Sequence, residues 1–477
     1  MNLPYENEVV LGFPAGTAAA FLREMNLHRV NLHSLLLMRH GKVFCEEYAP
    51  GYDENFRHRL YSVSKTYVSA AVGVAIGEGY FTLESNIADF FPDKLPADPH
   101  PYLKALTVRD CLMMATPFND TPYRTSHTDW VLDFFQAECT HRGGSIFHYD
   151  TGASLVLDAL VERVTGLPFN EYLFNKVLSK IGYETVPPCV EAPDGTKWGG
   201  SGMQCTTREF AAFARLWMND GKSEDGEQLI PADYIREAVK KQIGNAEDNA
   251  QNSLRGMGYG FQTWRLKYGW AMFGMGNQLA FCFPREDVLM ICTGDDQAND
   301  FARNYIVDVS EKLLLKPLGG AAETAEPVLG MPLPFGEKES PLQSRWNGVT
   351  YRLQPNRMGM EWVRFTFGDT CKMTFFARGE EKTILFGPGA YREFAFPETG
   401  YSGDRINTPM GRGYRSFAAG AWDLPDLLVM KCYLADTYFG NFTANFRFCE
   451  QGIDFHITKC AEWFLDEYHG FATGVAE

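Results

Sequence analysis

The chain has no C-x-x-C pair, no long block of lysine and arginine, no basic-then-apolar leader and no apolar run of membrane-spanning length. Each absence excludes something. The eleven cysteines are odd in number and scattered, so neither a disulfide framework nor a dithiol redox motif is indicated. Reduced thiols in a cytoplasmic protein are the expectation. A net charge of −16 without a basic block argues against nucleic acid and anionic membrane as partners. The acidic start, Met1 to Glu8, does not read as an export signal, and a membrane span is not expected. Ten dispersed histidines, without H-E-x-x-H or a Cys/His cluster at zinc spacing, give no metal site, and no cofactor is expected. Gly256-x-Gly258-x-Gly260 and Gly411-x-Gly413 are too short and misplaced for nucleotide fingerprints.

What is present is ample material for packed cores: 45% apolar residues, 14% of the chain aromatic, over 477 residues. That length implies two or three domains. Helical patterns occupy residues 14–26, 106–114, 153–165, 205–219 and 299–315, and the apolar run after Lys65 reads as a buried helix ending near Gly77. His33 to Tyr48 reads as a hairpin turning near His40-Gly41-Lys42. Beyond residue 255 the pattern changes to strands: aromatic-rich Met257 to Leu266, then Gln278–Phe283 and Val288–Thr293 about a Pro284–Asp287 turn. Strands at both ends around a helical middle describe one α+β domain over residues 1–318. Proline and glycine crowd the next stretch, read as a linker over 319–345. From 346 to 477 apolar residues alternate, as in Phe442, Ala444, Phe446 and Phe448, then Ile453, Phe455 and Ile457. That spells a small antiparallel β-barrel or sandwich domain.

The chemistry-bearing stretch is Tyr61-Ser62-Val63-Ser64-Lys65. A hydroxyl and an amine three residues apart share one helix face, the arrangement a serine nucleophile needs if a neutral lysine takes its proton. Burial at a helix N-terminus disfavours the ammonium form. The bland alternative is a capping Ser62 beside a solvated Lys65. Tyr149, in Phe147-His148-Tyr149-Asp150-Thr151-Gly152, precedes a helix and either relays protons or simply packs. Phe273-Gly274-Met275-Gly276-Asn277-Gln278 enters a strand whose edge could offer a backbone N–H to an oxyanion, or is a plain turn.

These three stretches, in this order, resemble the serine β-lactamase and penicillin-binding-protein superfamily, particularly its class C-like esterase, peptidase and amidase branch. The likeness runs over about residues 30–318 and includes Phe81 to Ile87, Leu106 to Leu112, Glu162 to Gly166 and Cys205 to Phe210. It implies a β-lactamase-like antiparallel sheet with a helical domain, and a lipocalin-like character for the C-terminal barrel. It also implies that Ser62 is acylated, that Lys65 is its base or relay, and that Tyr149 is the second relay. The oxyanion hole would join the Ser62 N–H to one near Asn277, with Gly276 and Thr151 lining the substrate. Two departures narrow the chemistry. Thr151 stands where the family usually has Asn, and Gly274 where it has Lys or His, the cation that anchors a substrate carboxylate. An ester or neutral amide, small molecule or short peptide, is therefore the expected substrate. The rivals are a D-amino-acid-specific peptidase or β-lactamase, and a catalytically silent ligand-binding member of the fold.

Overall fold

The computed structural model describes residues 1–120, 128–246, 256–297, 300–315, 328–399, 414–436, 439–462 and 464–477. Asn299, the part of the expected linker before 328 and the Gly411–Gly413 pair lie outside them. Two compact units meet in the sequence at Gly330–Met331.

The first unit is built on β1 (Leu32–Arg39), β2 (Lys42–Tyr48), β3 (His58–Arg59), β4 (Gln204–Cys205), β5 (Trp264–Arg265), β6 (Trp270–Gly274), β7 (Gln278–Phe283) and β8 (Val288–Gly294). Six of them form one antiparallel sheet in the order β2-β1-β8-β7-β6-β5, while β3 and β4 pair separately. β1, β7 and β8 are buried almost end to end, which is why they read as continuous apolar runs rather than alternating ones.

The Ser64–Gly77 helix is buried without a break from Ser64 to Ala75. A helix apolar on every side belongs in the centre of a domain. Gly73 permits close packing: a methyl there would come within 2.5 Å of the Tyr234 ring. The expected helix starts carry their caps. Thr107 and Thr206 each close a capping box, with Asp110 and Glu209, and each box satisfies two otherwise unpaired N–H groups. Asp150 caps the Thr151–Thr165 helix, which ends at Gly166 with φ +74°, where glycine accepts the left-handed turn freely.

The sequence reading fails at Met257–Leu266. Only Trp264–Arg265 is strand there, because Gly258 (φ +106°) and Gln262 (φ +58°) bend the backbone out of extended geometry. Buried Gln262 then serves as a polar spacer, accepting from Ser154 Oγ (2.7 Å) and donating to the Cys111 and Leu112 carbonyls. The helix expected to reach residue 315 is α-helical over Asp300–Ser310 and continues as a π-helical turn, Glu311–Leu315.

A buried imidazole pair, His33 on β1 and His58 on β3, links those two strands. His58 Nδ1–H donates to the Arg59 carbonyl (3.0 Å), so its Nε2 accepts from His33 Nδ1–H (2.8 Å). His33 Nε2 in turn accepts from the Tyr52 hydroxyl (3.2 Å). Burial holds His58 down at about 4 and His33 well below its ordinary value. A depressed folded-state value means that stability is full above the unfolded value near 6.5 and drains as pH falls toward 4. His58 alone should cost about 2 kcal/mol at pH 5. The thermal midpoint should therefore drop between pH 7.5 and pH 5, and drop less in His58→Gln. An unchanged slope in that variant would contradict the assignment.

In the second unit, nine strands from Thr350–Leu353 to Gly470–Ala476 form a closed barrel. Eight neighbouring pairs are antiparallel, and the seam is a short parallel pairing of Gly387 with Ala419 and Pro388 with Gly420. The expected alternation holds, with Phe442, Phe446, Phe448, Ile453, Phe455 and Ile457 all buried. Trp346, read as the start of this domain, stacks on Phe448 at 4.8 Å. Within the stretch read as linker, Glu337 exchanges two backbone hydrogen bonds with Trp422. Among the described residues no helix is long and apolar enough to cross a membrane, and no group of three His, Cys, Asp or Glu side chains is placed to hold a metal.

Candidate active site

Ser62 sits in a 3-10 turn, Tyr61–Val63, that leads into the helix beginning at Ser64. It is not the helix cap: the N-cap is Val63, with no side-chain cap. Tyr61 carries φ +48°, a costly conformation for a bulky residue that the surroundings must enforce. Ser64 helps enforce it, its hydroxyl donating to the Tyr61 carbonyl (2.5 Å) while accepting from Met203 N–H (2.9 Å).

Lys65 is 1% exposed, so the solvated-lysine alternative does not apply. Its Nζ lies 3.0 Å from Ser62 Oγ and donates to the Gly200 carbonyl at 2.6 Å. The same nitrogen is 5.0 Å from the centre of the Tyr149 ring. Tyr149 is half-buried and stacked on Trp264 (5.4 Å, 27°), with Tyr259 edge-on behind it. Ser62, Lys65 and Tyr149 are thus brought together from two helix starts, in a wall of aromatic rings.

Thr151 is the first residue of its helix. Its methyl lies under the loop that meets Lys65, where a Cβ on Gly200 would come within 2.5 Å of Thr151 Cγ2. Gly276 (φ +80°) and Asn277 (φ +72°) form the corner of the β6–β7 hairpin. The stretch turns here and enters β7 at Gln278, as expected. Asn277 Nδ2 donates to Asp296 Oδ2 (3.0 Å) and the Gly276 carbonyl accepts from Asp296 N–H (3.3 Å). The hairpin presses on the Ser62 turn at Gly274, where any Cβ would run into the Leu60 carbonyl oxygen. Gly274→Ala should therefore displace the turn, lowering kcat on an ester about 10²-fold and stability by about 1–3 kcal/mol. Parallel rate and melting measurements check it; wild-type values for both would contradict it.

Sequence reasoning missed the loop Trp198-Gly199-Gly200-Ser201-Gly202-Met203 altogether. Its Gly199 N–H donates to Asp158 (2.7 Å), whose fully buried carboxyl is pushed well above its usual range by desolvation. Three glycines in six residues were the available signal: Cβ atoms on Gly199 and Gly202 would meet Val68, Asp158 and the Val190 backbone at close range.

The family model described as Beta-lactamase matches residues 25–305. Among curated proteins, the 6-aminohexanoate-dimer hydrolase of Paenarthrobacter ureafaciens is 25% identical over 221 residues, 43% of this chain and 56% of that protein. The match thus spans little more than half of that relative's length. Among solved structures, one described as a 6-aminohexanoate-dimer hydrolase from Bacillus anthracis has a TM-score of 0.54 at 18% identity, covering 67% of this chain and 89% of that one. The octameric penicillin-binding protein homologue from Pyrococcus abyssi has a TM-score of 0.50 at 14% identity, covering 96% and 99%. Likenesses at these identities speak to the fold.

Proposed function

This chain belongs to the β-lactamase family, and on that premise we propose that it is a serine hydrolase that cleaves an ester or neutral amide through an acyl-enzyme. The observation that carries the reading is the 3.0 Å separation of the buried Lys65 Nζ from Ser62 Oγ. That is hydrogen-bond reach for a nucleophile and its base.

A neutral lysine has one lone pair. One N–H goes to Gly200, and the lone pair accepts the Ser62 proton as Oγ attacks the substrate carbonyl carbon. The Ser62 backbone N–H, together with one from the Gly274–Asn277 hairpin, would receive the developing oxyanion. The proton held by Lys65 passes by way of Tyr149 to the leaving alcohol or amine as its bond to carbon breaks. Water then attacks the acyl-enzyme, giving the acid and restoring Ser62. The chain's own residues supply every group in this scheme.

The substrate class follows from Gly274. Without a cation at that place, a carboxylate-bearing β-lactam or terminal D-peptide loses its anchor, and a neutral acyl group does not. The curated relative named for 6-aminohexanoate-dimer hydrolysis favours an amide, the bond by which an amino acid dimerises. We place the reaction in the cytoplasm, on a small molecule or short peptide, with no nucleic-acid or membrane partner. All eleven cysteines are free, which suits a reducing compartment.

The test is a substrate panel at equal protein concentration: a short-chain p-nitrophenyl ester, a neutral N-acyl amide, nitrocefin and a D-Ala-D-Ala peptide. Turnover of the first two well above the others is expected. Nitrocefin or D-peptide hydrolysis without ester or amide turnover would replace this reading with a β-lactamase or peptidase.

A further inference from the structure

The Trp198–Met203 loop presents its Gly200 carbonyl to Lys65, and it is fastened by groups that the mechanism above does not use. Asp158 takes Gly199 N–H and Ser64 takes Met203 N–H. The central fastening is Arg59, 2% exposed on β3. Its Nε donates to the Ser201 carbonyl (3.0 Å) and its second terminal nitrogen to Ser201 Oγ (3.1 Å). The guanidinium lies 4.2 Å from the centre of the Tyr61 ring and 5.0 Å from that of Trp198. One planar group therefore holds the residue after Gly200 and the residue before Ser62.

We propose that Arg59 is a positioning residue for the reaction, one that fixes the Gly200 carbonyl and so sets which way the Lys65 amine turns. This rests on the reading that Lys65 is the base. An amine on a four-carbon stem is free to rotate, and a lone pair aimed away from Ser62 Oγ takes no proton. Donation to the Gly200 carbonyl restrains that rotation, and restrains it best when the carbonyl is itself held still. Two hydrogen bonds from a rigid fork to the carbonyl and hydroxyl oxygens of Ser201, the next residue, hold it, and a guanidinium keeps its proton at every working pH. The backbone beneath is fixed as well, since the Arg59 carbonyl accepts from His58 Nδ1–H and β3 pairs with β4 just beyond the loop.

The test is a double-mutant cycle on a p-nitrophenyl ester with Arg59→Met, Lys65→Ala and both. Arg59→Met should lower kcat about 10²-fold, the cost of a misplaced catalytic group, with KM changed less than about threefold. In the Lys65→Ala background the same substitution should change kcat by less than about threefold, because the group it positions is gone. Arg59→Lys, which keeps the charge but not the fork, should recover part of the loss. An equal loss in both backgrounds, or no loss in either, would overturn the proposal. If Arg59→Met does not fold, the same cycle with Arg59→Lys decides by the same criterion. A wild type equal to Lys65→Ala would instead remove the base assignment, and Arg59's role with it.

Discussion

Ser62→Ala is expected to reduce ester turnover by at least about 10⁴-fold while leaving the melting temperature within a few degrees of wild type. Loss of a nucleophile removes the covalent path and leaves only what binding and oxyanion donors contribute. The fold should be indifferent because Ser62 caps no helix and is the half-exposed member of its turn. Ser64, two residues on, is the internal control. Its hydroxyl is buried between the Tyr61 carbonyl and Met203 N–H, so Ser64→Ala should cost about 1–3 kcal/mol of stability. Any accompanying loss of rate would come only through the turn it supports. A pair of substitutions in which Ser64→Ala abolished turnover and Ser62→Ala did not would reverse the assignment.

Lys65→Met should be the second largest effect, about 10³-fold or more in kcat. Removing the base leaves Ser62 an ordinary alcohol, and general-base assistance is worth roughly 10²–10⁴-fold. Methionine fills most of the volume and leaves no buried charge, which separates chemistry from packing. The Gly200 carbonyl loses its donor in this variant, so a stability cost of about 1–3 kcal/mol should accompany the kinetic one. Small primary amines added to Lys65→Ala should restore part of the rate if the missing group is a proton acceptor. Absence of rescue together with near-wild-type kcat would show that Lys65 is structural.

Much of this site was legible from local pattern. Ser62, Lys65 and the buried helix behind them lie within sixteen residues, and the helices that Thr107 and Thr206 cap show helical patterns in the sequence. The barrel strands alternate because one face is inside, and the Phe442–Phe448 register can be read directly. The rest depends on contacts far apart in sequence. Gly200 lies 135 residues from Lys65 and Ser201 lies 142 from Arg59; nothing near Ser62 announces either. Met257–Leu266 misled because its aromatics suit a strand, whereas its glycines and the positive φ of Gln262 serve a turn that places Trp264 against Tyr149. The barrel's parallel seam is only two residue pairs long, Gly387 with Ala419 and Pro388 with Gly420, too short to leave an alternating signature.

The central claim is that acyl transfer passes through Ser62, and peptide-mapped mass spectrometry after reaction with a fluorophosphonate probe or a slowly turned-over ester tests it most directly. A single adduct on the peptide carrying Ser62, absent in Ser62→Ala and slower to form in Lys65→Met, is the predicted result. Ester turnover with no adduct on Ser62, or an adduct that survives Ser62→Ala, would contradict it.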